Sequence, residues 1–69
     1  MYRIYFDGND GLDDKRYGLW LGKSTEDLAK IPGGPKERMQ VTIYMTGEIE
    51  MEATLEWDEK WNAWTARWV

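Results

Sequence analysis

The 69-residue sequence predicts an α+β fold that consists mainly of antiparallel strands, with one short helix. Residues 39–45 and 49–57 each alternate apolar with polar side chains, which is typical of strands that bury one face. Residues 24–31 begin with a serine N-cap, carry two acidic residues in the first turn and place two apolar residues three positions apart, which predicts a short amphipathic helix. We therefore expect one domain over residues 1–69, with about five antiparallel strands in an open sheet or a small half-open barrel.

The first two strands are predicted from shorter patterns. Residues 2–6 alternate, with Ile4 and Phe6 on the inward face, and the following stretch DGNDGLDDKR is typical of turns. A second strand is expected over residues 16–22, with Trp20 on its outward face between two glycines. Glycines beside a strand tryptophan leave room for a flat group or mark a bulge.

The next two strands, residues 38–46 and 48–57, are expected to pair as a hairpin with a defined register. Keeping their apolar faces together requires opposed residues whose numbers sum to 94, such as Met45 with Ile49. That register leaves residues 46–48 as a three-residue loop, or as a tighter turn next to a bulge.

Residues 57–68 contain four tryptophans and allow two interpretations. Their spacing of 4, 3 and 4 is typical of the apolar stripe of a helix, and acidic residues near the start with an arginine near the end suit the helix dipole. Alternatively, Trp57 continues the strand alternation, and a four-residue loop at 58–61 places it opposite Asn62. We favour this second hairpin, with a final strand at 62–69 that completes a three-stranded meander.

Tryptophan is expected in the core, because a chain this short needs most of its large apolar side chains for folding. In the hairpin, Trp57, Trp64 and Trp68 belong to the buried face, whereas Trp61 lies in the loop. The aromatic residues that the alternation leaves off that face are Tyr5, Trp20, Tyr44 and Trp61. If they converge, they form an exposed platform on which a partner protein can dock; if instead the sheet curls, both of its faces are covered.

A row of glutamates is the second candidate surface. The residues that share one face of one strand are Glu48, Glu50, Glu52 and Glu56. Such a row could imitate a nucleic-acid backbone or bind a basic surface of a protein partner. The alternative is a solvated face with cross-strand ion pairs, from Arg38 to Glu56 and from Arg67 to Glu52.

Composition argues against several kinds of site. The chain has no cysteine and no histidine, which removes thiolate and imidazole from catalysis and metal binding. Asp7, Asn9 and Asp13 offer oxygen ligands, but the loop lacks the glycine and the glutamate that a calcium-binding EF-hand needs. Adjacent carboxylates such as Asp13 and Asp14 show no spacing that singles out an acid–base pair. We expect no catalytic residues, no cofactor and no metal.

Charge and hydropathy indicate which partners and which cellular compartment to expect. A net charge of −4 argues against direct binding to DNA or RNA, and no apolar run approaches the length of a membrane span. The absence of cysteine favours the reducing cytoplasm and the N-terminus lacks a signal peptide, so we expect a complete cytoplasmic protein.

The expected function is a non-catalytic protein-binding module or inhibitor that docks through the aromatic patch. The alternative is an acidic decoy that occupies a basic surface of its partner, and the oligomeric state is left open.

Overall fold

Six strands and one α-helix make up the part of the chain that the computed structural model describes, which is residues 1–47 and 49–68. The strands and the helix are, in chain order, β1 (Arg3–Tyr5), β2 (Gly11–Leu12), β3 (Arg16–Gly18), α1 (Gly22–Ala29), β4 (Gln40–Met45), β5 (Ile49–Asp58) and β6 (Ala63–Trp68). A short 3-10 turn at Gly8–Asp10 precedes β2. All six strands join one sheet in the order β1-β4-β5-β6-β3-β2.

The predicted α+β fold with mainly β-structure is confirmed, and the sheet is open rather than closed into a barrel. Contrary to the prediction, its strands are not all antiparallel, because β1 pairs with β4 in parallel, with Ile4 opposite Ile43. A parallel pair needs a crossover connection, and helix α1 lies on the path from β1 to β4. The sequence predicts a turn where β2 lies; its two residues instead pair antiparallel with β3 at the edge of the sheet.

The C-terminal residues are extended, as the hairpin interpretation predicts. β4, β5 and β6 form an antiparallel meander, and Met45 lies opposite Ile49 in the predicted register. Between β5 and β6, Trp57 lies opposite Trp64 rather than Asn62, a shift of two positions from the prediction. A shift of two positions keeps every side chain on its predicted face.

The loop between β5 and β6 explains this shift. It consists of residues 59–62 rather than 58–61, because Asp58 is still part of the ladder. The Asp58 carboxylate accepts a hydrogen bond from the Trp61 backbone N–H at 3.1 Å, and Asn62 has a left-handed φ of 52°. Aspartate and asparagine are suited to these two roles in a turn, and together they close the loop one residue later than predicted.

Helix α1 covers the outer edge of β1. Ser24, the predicted N-cap, lies inside the helix, which begins at Gly22. Its buried hydroxyl donates to the Tyr5 carbonyl, and Asp27 Oδ2 accepts from the Tyr5 N–H at 3.0 Å. These two bonds satisfy backbone groups that an edge strand otherwise leaves free. Ser24 is therefore used to dock the helix on β1 rather than to start it.

The hydrophobic core lies between α1 and one face of the sheet, and it consists mainly of aliphatic residues. Its buried members are Ile4, Phe6, Leu19, Leu28, Ile31, Val41, Ile43, Ala53, Leu55 and Ala66. None of the five tryptophans is among them. The prediction that tryptophans fill the core is wrong for Trp57, which is 41% exposed, and Trp64 and Trp68 are only partly buried.

The length of the helix gives the physical reason. An eight-residue helix is about 12 Å long, whereas a ten-residue strand spans about 34 Å. Leu28 of α1 packs on the core, but at the end of β5 a groove stays open between the helix and Trp57. The apolar face of the sheet therefore continues past the helix that covers it.

Candidate binding surface

Tyr5 and Tyr44, two of the four predicted platform residues, lie together on the sheet face opposite the core. Their ring centroids are 5.8 Å apart in an edge-on arrangement. The Arg3 guanidinium lies 4.6 Å from the centre of the Tyr44 ring, and Lys23 Nζ lies 5.1 Å from that of Tyr5. Both rings are thus already covered by cations of the chain itself.

Asp27 joins this pair to the helix. The Tyr44 hydroxyl donates to Asp27 Oδ2 at 2.9 Å, and the same oxygen accepts the Tyr5 N–H. Burial, followed by the hydrogen bond to Asp27, raises the pKa of Tyr44. We call this group the tyrosine cluster; its members are Arg3, Tyr5, Lys23, Asp27 and Tyr44. The Tyr44 hydroxyl, the Tyr5 backbone N–H and the Arg3 guanidinium thus find partners within the protein.

Trp20 and Trp61, the other two predicted platform residues, form a separate pair with ring centroids 5.4 Å apart. The Trp20 ring lies against Gly18, since a Cβ added to Gly18 would be 2.0 Å from Trp20 Cζ3. The flat group for which Gly18 leaves room is therefore the ring of Trp20. Trp61, in the β5–β6 loop, is 51% exposed. Among the described residues no ring contact joins this pair to the tyrosine cluster, so the four residues form two patches and not one platform.

A groove next to the Trp20–Trp61 pair contains two further tryptophans. Trp57 and Trp64 face each other across β5 and β6, with ring centroids 5.4 Å apart and ring planes at 71°. Together with Trp20 and helix α1 they line a cavity of about 320 Å³. We call this cavity the tryptophan groove; its main lining residues are Leu19, Trp20, Thr25, Leu28, Trp57 and Trp64.

The sequence pattern assigns Trp57 and Trp64 to the core and so misses their place in this groove. A signal for it was present in the lengths of the predicted elements. A helix of about two turns is too short to cover an apolar strand face that runs from residue 49 to residue 57. Aromatic residues at the far end of that face are therefore candidates for exposure.

A network of charges supports the loop that carries Trp61. The Arg16 guanidinium lies 2.8 Å from a carboxylate oxygen of Asp14 and 2.8 Å from one of Asp58. The hydrogen bond from the Trp61 N–H, with a further contribution from Arg16, lowers the pKa of Asp58 against the opposing effect of burial. The hydrogen bond from Arg16 likewise lowers the pKa of Asp14. The loop is thus held by charged groups on β3 and β5.

The acidic row lies on the open face of β5, and cations of neighbouring strands compensate part of it. Glu50 forms an ion pair with Arg3 at 3.0 Å, and Glu56 forms one with Arg67 at 2.6 Å. The hydrogen bonds from Arg67 lower the pKa of Glu56. Two of the predicted acidic residues are therefore engaged within the protein.

The ion pairs predicted from sequence differ from those observed. The two-position shift between β5 and β6 carries Arg67 away from Glu52 and toward Glu56. Within the described chain, Glu56 makes no ion pair with Arg38, and Glu52 has no cationic partner. Glu48, the remaining member of the predicted row, lies outside the described residues.

Among the described residues, no three acidic side chains are close enough together to bind a metal ion, and no helix is long and apolar enough to cross a membrane. Asp7, a candidate calcium ligand, accepts a hydrogen bond from the Asn9 N–H at 2.8 Å and caps the 3-10 turn.

Comparison with protein-family models, with curated proteins and with solved structures finds no match for this chain. Function is therefore argued from the geometry of the surface.

Proposed function

We propose that the protein is a non-catalytic binding module and that a partner protein docks in the tryptophan groove. The observation that carries this proposal is the gathering of four tryptophans outside the buried core, namely Trp20, Trp57, Trp61 and Trp64. Tryptophan is enriched among the residues that dominate protein–protein binding energy, because one indole buries a large apolar area. A chain that folds on aliphatic residues keeps these rings available for contact.

The size and lining of the groove favour partner side chains over a large cofactor. Its volume of about 320 Å³ is at the lower end of the range for ligand pockets. Leu19, Leu28 and the indole rings give it a mainly apolar wall. One or two side chains of a partner fill such a space, and the exposed Trp61 ring, which packs on Trp20, offers further apolar area outside the groove.

The groove is also held in shape before a partner binds. The Trp20 ring packs on Gly18. The loop with Trp61 is held by a hydrogen bond to Asp58, which in turn forms an ion pair with Arg16. A preformed site loses less conformational entropy on binding, so more of the contact energy contributes to affinity.

The acidic decoy is the second candidate function, and it depends on the glutamates of the open face. Arg3 and Arg67 compensate Glu50 and Glu56, which leaves Glu52 as the described member of the row without a cation. The groove is therefore the stronger candidate. The dependence of partner affinity on ionic strength distinguishes the two functions, because ions screen the attraction between exposed charges but do not weaken apolar docking.

Capture of partners by the immobilised protein tests this proposal. The bait is offered cytoplasmic extract of its own host, since the absence of cysteine favours that compartment. Captured proteins are quantified by mass spectrometry at low and high ionic strength, with wild type, Trp57→Ala and Tyr2→Ala. Tyr2 is the matched control, because it is 45% exposed, close to the 41% of Trp57, and lies outside the groove.

We expect Trp57→Ala to reduce capture of the specific partner by at least about tenfold, which is typical of a residue that dominates an interface. Tyr2→Ala and high salt should change capture little. The opposite pattern is full capture by Trp57→Ala, with loss at high salt and in a Glu50→Gln/Glu52→Gln variant. That pattern would reject the groove and favour the decoy.

A further inference from the structure

The tryptophan groove differs from the other aromatic clusters because no cation among the described residues covers its rings. Such contacts occur in the tyrosine cluster and at Trp68, whose ring centre lies 5.9 Å from Lys15 Nζ. Within the described residues, none involves Trp20, Trp57 or Trp64. Tryptophan offers a cation the most favourable aromatic face. The rings best suited to a cation are therefore those for which the described residues supply none.

The charges around the groove also favour a positive ligand. No lysine or arginine is among the described residues that line the groove. Glu37 lies beside Trp57, whose backbone N–H donates to Glu37 Oε1 at 2.8 Å, and no ion pair involves Glu37 within the described chain. Lys36 and Arg38 flank Glu37 in the sequence, and Lys60 lies in the β5–β6 loop. None of these three residues lines the groove. The net charge of −4 adds a long-range attraction for basic partners.

We propose that the groove binds an arginine side chain of the partner protein, an inference that rests on the proposed function. A guanidinium is planar and more weakly hydrated than an ammonium, so it can stack on an indole within a small apolar groove. Its methylene stem packs on Leu19 and Leu28, which line the groove, and the Glu37 carboxylate, which accepts the Trp57 backbone N–H, supplies a negative charge nearby. The partner segment thus presents an arginine next to apolar residues.

Four short peptides test this inference. They share one apolar sequence and carry arginine, lysine, citrulline or norleucine at the central position. Citrulline is the matched control, because it keeps the shape of arginine and lacks its charge. Binding to the full chain is followed by the NMR signals of the indole N–H groups, assigned with Trp→Phe variants. Trp68, which already has Lys15 nearby, reports non-specific effects.

We expect the arginine peptide to bind about tenfold more tightly than the citrulline peptide, and to shift the signals of Trp57 and Trp64 but not that of Trp68. Glu37→Gln should reduce this preference severalfold, because it removes the negative charge beside Trp57. Trp57→Leu keeps an apolar side chain without an aromatic face, and should bring the two peptides to similar affinity.

Three results would overturn the inference. Equal binding of the arginine and citrulline peptides at these rings would reject the cation and leave docking in the groove intact. Equal binding of the lysine peptide would show that a charge suffices, which rejects the selection of arginine. If no peptide shifts a groove signal, the arginine site is wrong, and the capture experiment with whole partner proteins decides separately on the function of the groove.

Discussion

The tyrosine cluster and the tryptophan groove both consist of aromatic residues outside the core, yet their interactions differ. In the tyrosine cluster, Asp27 accepts hydrogen bonds from a hydroxyl and a backbone N–H, and cations cover the rings. In the groove, Trp57 and Trp64 contact each other and leave an open cavity beside them. Exposure of an aromatic residue is therefore weak evidence for function, and rings that border an open cavity and carry no cation within the described residues are stronger evidence.

Helix α1 produces this difference between the two regions. Its Ser24 and Asp27 side chains bond to the free edge of β1, and Asp27 also holds Tyr44. At the far end of β5 the short helix does not close over Trp57, and an open groove lies between them. The same element thus completes one aromatic region and leaves the other open.

Replacement of Asp27 by alanine should have the largest effect on stability, because the tyrosine cluster depends on this acceptor. The Tyr5 N–H and the Tyr44 hydroxyl would both lose a charged partner in a partly buried place. We expect the free energy of unfolding, measured by urea denaturation, to fall by about 2 to 4 kcal/mol. Asp27→Asn keeps an acceptor oxygen and should lose less. A loss below about 0.5 kcal/mol for Asp27→Ala would show that the cluster is not structural.

Gly18→Ala should have a smaller effect, and it acts on the tryptophan side. The added methyl group would overlap the Trp20 ring, which has to move away. We expect a loss of about 1 to 3 kcal/mol in the free energy of unfolding and a change in tryptophan fluorescence. Gly22→Ala is the control, because nothing lies within 4 Å of its added Cβ. A second substitution, Trp20→Leu, should recover part of the loss, and simple additivity of the two changes would argue against the overlap.

Trp57→Ala should lower the free energy of unfolding by only about 1 kcal/mol, since it removes an exposed ring and one aromatic contact. Leu55→Ala is the matched control, two positions away on the same face of β5 but fully buried. Its loss should be about 2 to 5 kcal/mol. Equal losses in denaturation experiments would mean that Trp57 is part of the core and would weaken the case for a binding groove.

Much of the fold could be predicted because strand alternation is a local signal. The faces of β4 and β5 determine which residues can be opposed, and Met45 does lie opposite Ile49. The parallel pairing of β1 could not be predicted, because Ile4 fits either direction and the partner depends on the long path of the chain. Ser24 shows a related limit, since a tertiary hydrogen bond to Tyr5 replaces its local role as a cap.

The candidate site was predictable only in part. Alternation correctly leaves Trp20 and Trp61 off the core face, and these two rings do meet. Alternation also indicates the face on which Trp57 lies, but it contains no information about what covers that face. Exposure of Trp57 depends on the reach of a helix that lies far away in sequence, which is a property of the assembled fold.

Extremes of pH should weaken the two regions separately, with the smallest effects. Burial and Asp27 raise the pKa of Tyr44, so its neutral hydroxyl stabilises the fold below about pH 10, and this contribution is lost as the pH rises through the folded value. The Trp61 N–H and Arg16 lower the pKa of Asp58, so its charged form stabilises the β5–β6 loop above about pH 4. That contribution is lost as the pH falls through the folded value.

Two variants separate these contributions in a series of denaturation curves across pH. Tyr44→Phe should remove the alkaline loss and leave the acidic one, whereas Asp58→Asn should reduce the acidic loss and leave the alkaline one. The indole signal of Trp61 should shift in acid before those of other tryptophans, because its backbone N–H donates to Asp58. An alkaline loss that persists in Tyr44→Phe would assign it to other tyrosines, and the tyrosine cluster would then be no more structural than the rings of the groove.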